Sequence, residues 1–378
     1  MLNKSEPHLP YTFPRTKKRV KNRSVLAAMT NKQSHGNGVI SNKEIKWLLR
    51  RAKDGFSIIT TAATHVSKYG QGWEGEFGVF EDSFIDRLTL LTKNIHKYDS
   101  LIFAQLFHGG MRAPEKLTGQ VPISASIIPS DLSSTGFTEA ASIKQIEQLI
   151  YDFSSAALRC VKAGFDGIEL HGAHGYLISQ FLGKKTNQRK DNWGGSINNR
   201  AKFLLRIIEE IKKVVPESFI VGVRISPEIK ELGIHLDESL ELVKLLTKTE
   251  IDFIHLSCWD CFKISTDYPK DKRTLTEWFT QSIDDLPTVI STGGIWSTKD
   301  AKAVMNQGAD LIGVGRVAIP YPEWAANLNI KDYSPQKMPF SSKDLSKADL
   351  SKVFIAVSYT HLRAHETRED LVCRLLLE

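Results

Sequence analysis

Short apolar runs, many of them β-branched, recur along the chain and alternate with longer segments in which apolar residues fall three and four apart. The runs are SVLAAM (24–29), FSIITTA (56–62), LIFAQLF (101–107), FDGIELH (165–171), FIVGVRI (219–225), IDFIHLS (251–257), PTVISTGG (287–294) and ADLIGVG (309–315). Continuous runs of this length suit strands covered on both faces, as in a parallel sheet. Between them, SNKEIKWLLRRAKDG opens on Ser41, a good helix N-cap, and closes on Gly55. SIKQIEQLIYDFSSAALRCVKAG opens on Ser142 and closes on Gly164, and SINNRAKFLLRIIEEIKKVV, HLDESLELVKLLTKT and STKDAKAVMNQG follow the same pattern. Eight strand–helix alternations over about 300 residues predict an α/β fold, a (β/α)8 TIM barrel, as a single domain over 1–355. A doubly wound sheet is the alternative, but it usually takes fewer strands and does not close. Two connections, from Gly109 to about Ala141 and from Cys258 to about Leu286, are too long for turns. Both follow strands, so they are expected as lids on the C-terminal face, where barrel enzymes work. The opening YTFPRTKKRVKNR is expected to form a hairpin plugging the opposite end.

Composition narrows the class. At 378 residues, with 41% hydrophobic and 25% charged, the chain has the make-up of a soluble globular protein. Its net charge of +7 comes from Lys and Arg interspersed with Asp and Glu along the helical segments, which reads as a solvated surface rather than a nucleic-acid or membrane patch. A mild attraction for an anionic cofactor or substrate is the other reading. Four cysteines (Cys160, Cys258, Cys261, Cys373) argue against a disulfide scaffold. There is no secretory leader pattern and no apolar run of membrane-spanning length, so a cytoplasmic protein is expected. The CWDC pair (Cys258, Cys261) has no further cysteines at ligand spacing and cannot complete a tetrahedral site, so no metal is expected.

The predicted C-terminal strand ends carry Thr30, Gln105, His108, His171 with His174 and Tyr176, Arg224, Gly293 with Gly294, and Gly315 with Arg316. Singly, each has an ordinary reading: glycines make turns, Arg224 can be a structural ion pair, Thr30 and Gln105 can be satisfied interior groups, and His171 can be a core histidine. Together they suit a flavin. Glycines in the last two βα loops, STGGI and GVGR, allow a phosphate to approach backbone N–H groups, with Arg316 adding charge. A guanidinium such as Arg224 stabilises negative charge gathering near N1 and the C2 carbonyl of a flavin that accepts hydride. Gln105 offers the paired donor and acceptor that an amide edge needs, and Thr30 can donate to the carbonyl beside N5.

These residues lie in stretches that resemble the old yellow enzyme family of FMN-dependent ene-reductases, across roughly residues 10–355: KNRSVLAAMT, AQLFHGGMRA, LHGAHGYLISQFL, KTNQRKDNWGGSINNRAKFLLRII, VRIS, STGGI and GVGR. The resemblance implies tightly but non-covalently bound FMN, NAD(P)H as reductant, and a small enone or nitroalkene as acceptor. It implies that His171 and His174 hold the acceptor oxygen, that hydride passes from flavin N5 to the β-carbon, and that Tyr176 protonates the α-carbon. It also implies that Ala28, Met29, Thr30, Ala62, Gln105, Arg224, Gly293, Gly294, Gly315 and Arg316 line the cofactor site. The family often has Cys where this chain has Thr30, Tyr where it has Lys32, and Pro where it has Ala28; Lys32 alters the charge of the substrate pocket. Another FMN barrel oxidoreductase, or a flavin-binding protein with little turnover, are the competing functions. A homo-oligomer is left open.

The last segment, VSYTHLRAHETREDLVCRLLLE, departs from both the barrel pattern and the family. It resembles a translated library-adapter string joined to a truncated gene, so 356–378 is expected to be a non-native tail. The alternative is a genuine amphipathic helix with Leu371, Val372, Leu375 and Leu376 as its stripe.

Overall fold

The computed structural model describes residues 6–363. Eight strands, β1 (Ser24–Leu26), β2 (Ile58–His65), β3 (Leu101–Phe107), β4 (Gly167–Gly172), β5 (Ile220–Ile225), β6 (Phe253–Ser257), β7 (Thr288–Thr292) and β8 (Leu311–Val314), close into a barrel in chain order, with β8 pairing back onto β1. Every neighbouring pair is parallel. Each strand leads to a helix: α1 (Asn42–Lys53), α2 (Ile85–His96), α3 (Ile143–Lys162), α4 (Ile197–Val214), α5 (Leu236–Leu246), α6 (Leu275–Ser282), α7 (Thr298–Asn306) and, after a longer excursion, α8 (Lys352–Arg363). The (β/α)8 expectation holds.

Local chemistry explains most starts and stops. Ser41 Oγ accepts from Glu44 N at the head of α1, and Ser142 forms a reciprocal capping box with Gln145 at the head of α3. Two helices go beyond the sequence reading. α2 follows Phe84 as its N-cap, which has no capping side chain, so it carries no start signal. α6 does carry one, a Thr274–Glu277 capping box, inside the stretch read as one long loop. β2 runs three residues past its predicted end and shifts register between Thr60 and Ala63. That bulge carries Ala62 toward the C-terminal mouth.

The barrel floor is closed by the N-terminal hairpin, in which Tyr11–Thr12 pairs with Arg19–Val20. Phe13 is fully buried with Val25, Ile58, Phe103, Ile220, Phe253, Ile290 and Leu311, residues near the N-terminal ends of their strands. Arg15 clamps the hairpin by a two-point pair with buried Asp252, at 3.0 Å (Nε–Oδ1) and 2.5 Å (Nη2–Oδ2). With the floor sealed, only the C-terminal mouth is available for chemistry. The 109–141 connection there contains a short helix, Glu115–Thr118, and a two-stranded ladder between Ile123–Ser124 and Glu139–Ala140.

In α8, Phe354 is buried edge-on against Trp47 at 5.2 Å, Ser358 is buried, and the Tyr359 hydroxyl donates to Phe340 O at 3.3 Å. The boundary expected at 355/356 therefore falls inside this helix; residues 364–378 of the expected tail, with Leu371, Val372, Leu375 and Leu376, lie outside the described residues. Among the described residues no helix is long and apolar enough to cross a membrane, and no group of three or more His, Cys, Asp or Glu could hold a metal. Cys160, Cys258 and Cys261 are free and buried, and burial pushes all three thiols up.

Candidate active site

β4 ends in a turn that gathers three side chains. His174 (φ 60°) and Gly175 (φ 78°) both adopt left-handed backbone, which reverses the chain so that His171, His174 and Tyr176 face one space. The His174 conformation is held by its N–H donating to Ser226 Oγ at 3.1 Å, and a short helix, Leu177–Leu182, fixes the far side. The His171 and His174 rings lie 5.0 Å apart at 88°, and the Tyr176 ring is 4.9 Å from His171.

Both histidines are neutral. Burial pushes each well below the usual imidazole range, and the Arg224 and Arg112 charges push the same way. Their hydrogen bonds set which nitrogen carries the proton. His171 Nδ1 accepts from Ala173 N at 3.4 Å, which leaves Nε2–H as its donor. His174 Nε2 lies 2.7 Å from Ser257 Oγ, which in turn accepts from Arg224 Nη2 at 3.0 Å. Arg224 can only donate, so the serine proton is free for His174 Nε2, leaving Nδ1–H as the second donor. Two neutral imidazoles thus present two N–H groups.

Tyr176 is nearly buried, and burial raises its hydroxyl above the usual phenol range, partly offset by Arg112, so it is protonated at neutral pH. Phe107 packs edge-on against it at 4.5 Å, Trp73 lies 6.4 Å away, and the Arg112 guanidinium sits 5.4 Å from its ring centre. Gln180 ties the surrounding loops together: its Nε2 donates to Gly109 O and Gly175 O, and its Oε1 accepts from Met111 N at 3.0 Å. His108 takes no part in this group. It is buried, pushed down to about 3 by desolvation, and its Nδ1 accepts from Gly110 N.

Beneath the histidines a polar chain crosses the barrel. Gln105 Nε2 donates to Glu169 Oε1, Glu169 Oε2 pairs with His255 Nδ1, and His255 Nε2 meets Thr292 Oγ1, each at 2.6 Å. Burial raises Glu169, but His255, Arg224 and Gln105 outweigh it and hold the carboxyl below its usual range. With its NH2 group anchored, Gln105 presents Oε1, an acceptor. Arg224 is buried at the end of β5, reaches Ala28 O with Nη1 at 3.4 Å, and has a buried Nε with no partner.

The remaining predicted residues line the same mouth. Ala28, Met29 and Thr30 continue β1 as it leaves the sheet, and Ala62 sits in the β2 bulge. A Cβ on Gly293 (φ 147°) would lie 2.2 Å from Cys258 O, and one on Gly315 would lie 3.0 Å from Met29 Sδ. Only glycine fits at 293, where the clash is with backbone, while a side chain at 315 would crowd the Met29 thioether. Gly294 faces the Asp260 carboxylate, with an added Cβ 3.2 Å from Oδ1, and Asp260 counters the desolvation that lowers Arg316. The loop after β6, pinned by Cys261 Sγ to Gly293 O, thus lies across the glycine cradle.

Sequence reading missed Glu169, His255, Ser257, Trp73, Arg112 and Gln180. Glu169 had a signal, a charged residue inside an apolar strand, as had Ser257 at the end of IDFIHLS. Trp73 and Arg112 come from loops whose course no local pattern fixes.

Comparison with known proteins places the chain in a family. Residues 10–333 match the model of the NADH:flavin oxidoreductase / NADH oxidase family. The chain is 34% identical over 326 residues to "Probable NADH-dependent flavin oxidoreductase YqiG" of Bacillus subtilis (strain 168), covering 84% of this chain and 86% of that protein. It is 32% identical over 329 residues to the NADH:fumarate oxidoreductase of Klebsiella pneumoniae (strain 342), covering 84% of this chain but 35% of that longer protein. The structure of the old yellow enzyme homologue from Zymomonas mobilis superposes with a TM-score of 0.78 at 24% identity, covering 91% of this chain and 99% of that one, a likeness of fold.

Proposed function

The chain belongs to the NADH:flavin oxidoreductase / NADH oxidase family, and from that premise we propose that it reduces activated C=C bonds, those of α,β-unsaturated carbonyl or nitro compounds. It is an FMN-dependent oxidoreductase of the old yellow enzyme type with NAD(P)H as reductant.

The donor set fits FMN. The unpartnered Nε of Arg224 and the free Oε1 of Gln105 suit a polar ring edge, and the glycines at 293, 294 and 315 with Arg316 suit a phosphate. Ala28, Met29, Thr30 and Ala62 would complete the walls. FMN, when bound, supplies the hydride. His171 and His174 would hold the acceptor oxygen through Nε2–H and Nδ1–H and draw electron density from the double bond. Because both rings are neutral, they donate hydrogen bonds without giving up a proton. Tyr176 would give its hydroxyl proton to the carbon beside the activating group. Trp73 and Phe107 would keep water from the reacting carbons.

The observation that carries this reading is the pair of perpendicular imidazoles 5.0 Å apart with a tyrosine ring 4.9 Å from one of them. An anaerobic assay with NADPH and 2-cyclohexenone tests it. Saturated ketone should form at the rate NADPH is consumed; NADPH oxidation that needs oxygen and leaves the enone intact would point to an oxidase or a flavin carrier instead.

A further inference from the structure

Arg112 ends a three-residue turn directly after β3, and its guanidinium lies over the face of Tyr176, 5.4 Å from the ring centre. Its Nε is buried with no partner, and among the described residues it forms no ion pair. Arginines buried away from this mouth are answered by the fold: Arg51 donates to four backbone carbonyls and Arg200 to Gly195 O and Glu238, whereas Arg224, in the same mouth, also keeps an unpartnered Nε. Of the nearby acids, Glu169 is engaged with Gln105 and His255, and Glu76 accepts from Gly72 N at 2.7 Å with its Oε1 3.3 Å from His65 Nδ1. With His171 and His174 neutral and the Glu169 carboxylate countering Arg224, Arg112 leaves the tyrosine side of the mouth positive. Gly175 keeps the space open, since a Cβ there would lie 3.2 Å from Arg112 Nη2.

A half-buried guanidinium has lost hydration, and the Tyr176 ring face with its hydroxyl returns only part of it. The partner its planar fork fits is a carboxylate. We propose that Arg112 anchors a carboxylate carried by the acceptor, next to the carbon that Tyr176 protonates. The proposal rests on the ene-reductase reading for the role of Tyr176. It makes the preferred acceptors anionic: enoates or enones bearing a carboxylate, rather than neutral enones.

Equilibrium binding to the oxidised, FMN-loaded protein tests the proposal independently of turnover. Phenol, 3-hydroxybenzoate and 4-hydroxybenzoate are titrated into the native protein, Arg112→Gln and Arg112→Lys, with flavin absorbance as the readout. The native protein should bind at least one hydroxybenzoate ten times or more tighter than phenol, Arg112→Gln should erase that preference, and Arg112→Lys should keep part of it. No preference in the native protein, or one that Arg112→Gln retains, would overturn the proposal. So would a uniform slowing of reoxidation by 2-cyclohexenone with a shifted pH profile and an intact carboxylate preference, which would assign Arg112 to the tyrosine alone. Failure of the native protein to reduce any enone, with the binding preference present, would count against the ene-reductase reading and leave the anion site standing.

Discussion

Ser257 Oγ stands 2.7 Å from His174 Nε2, at the C-terminal end of the strand two places around the barrel from the one that carries His171. The contact orients a ring whose backbone is in a left-handed conformation, and it joins the ring to Arg224. Ser257→Ala removes the group that fixes the His174 tautomer while leaving the fold intact. Phenol binding should weaken by roughly fivefold, the equivalent of about 1 kcal/mol for one hydrogen bond. Unchanged phenol affinity in a flavin-replete variant would mean that Ser257 does not set the donor.

Arg224→Ala should make bound FMN harder to reduce. A charge-assisted hydrogen bond of about 1.5–3 kcal/mol corresponds to roughly 30–65 mV for a two-electron couple. The midpoint should fall by about that amount, and reduction by NADPH should slow. An unchanged midpoint removes Arg224 from this role.

Glu44 tests the support of the loop that follows Thr30. It is buried, bound to Asn31 Nδ2 at 2.8 Å and to Ser34 Oγ at 2.5 Å, and burial raises its carboxyl to about 7. A raised folded value means that its stabilising contribution is complete below the unfolded value near 4.5 and is lost as pH climbs through 7. Glutamine cannot ionise. The melting temperature of the native protein should therefore exceed that of Glu44→Gln by more at pH 5 than at pH 8. A gap that stays constant with pH would show that the carboxyl titrates normally.

The domain boundary at 355/356 is our proposal, with 356–378 as a non-native tail. Deleting 364–378 should leave the melting temperature and flavin content unchanged. Deleting from 356 onward also removes the buried Ser358 and the Tyr359 bond to Phe340. A loss of many degrees in that longer deletion would make α8 part of the fold and move the boundary.

The barrel was legible because strands buried on both faces write long apolar runs, and because Ser41, Ser142 and Ser196 mark their helices by capping. α2 was not, since its start at Phe84 has no capping side chain. The site was legible where one local segment supplies it, as His171, His174 and Tyr176 do within six residues. What stayed hidden was the long-range pairing: Gln105 to Glu169 across 64 positions, Glu169 to His255 across 86, and His174 to Ser257 across 83. Such contacts depend on barrel register, and a single sequence carries no local trace of them.

In the proposed reaction two neutral histidines hold the acceptor and Tyr176 protonates it. Tyr176→Phe keeps the ring and its packing against Phe107 and removes only the hydroxyl. Stopped-flow measurement of the two half-reactions separates the roles. Reduction of the flavin by NADPH should proceed at close to the native rate, while reoxidation by 2-cyclohexenone should slow by roughly a hundred- to ten-thousand-fold, the range for losing a positioned general acid. Equal slowing of both half-reactions, or of neither, would contradict the account and make Tyr176 a packing residue.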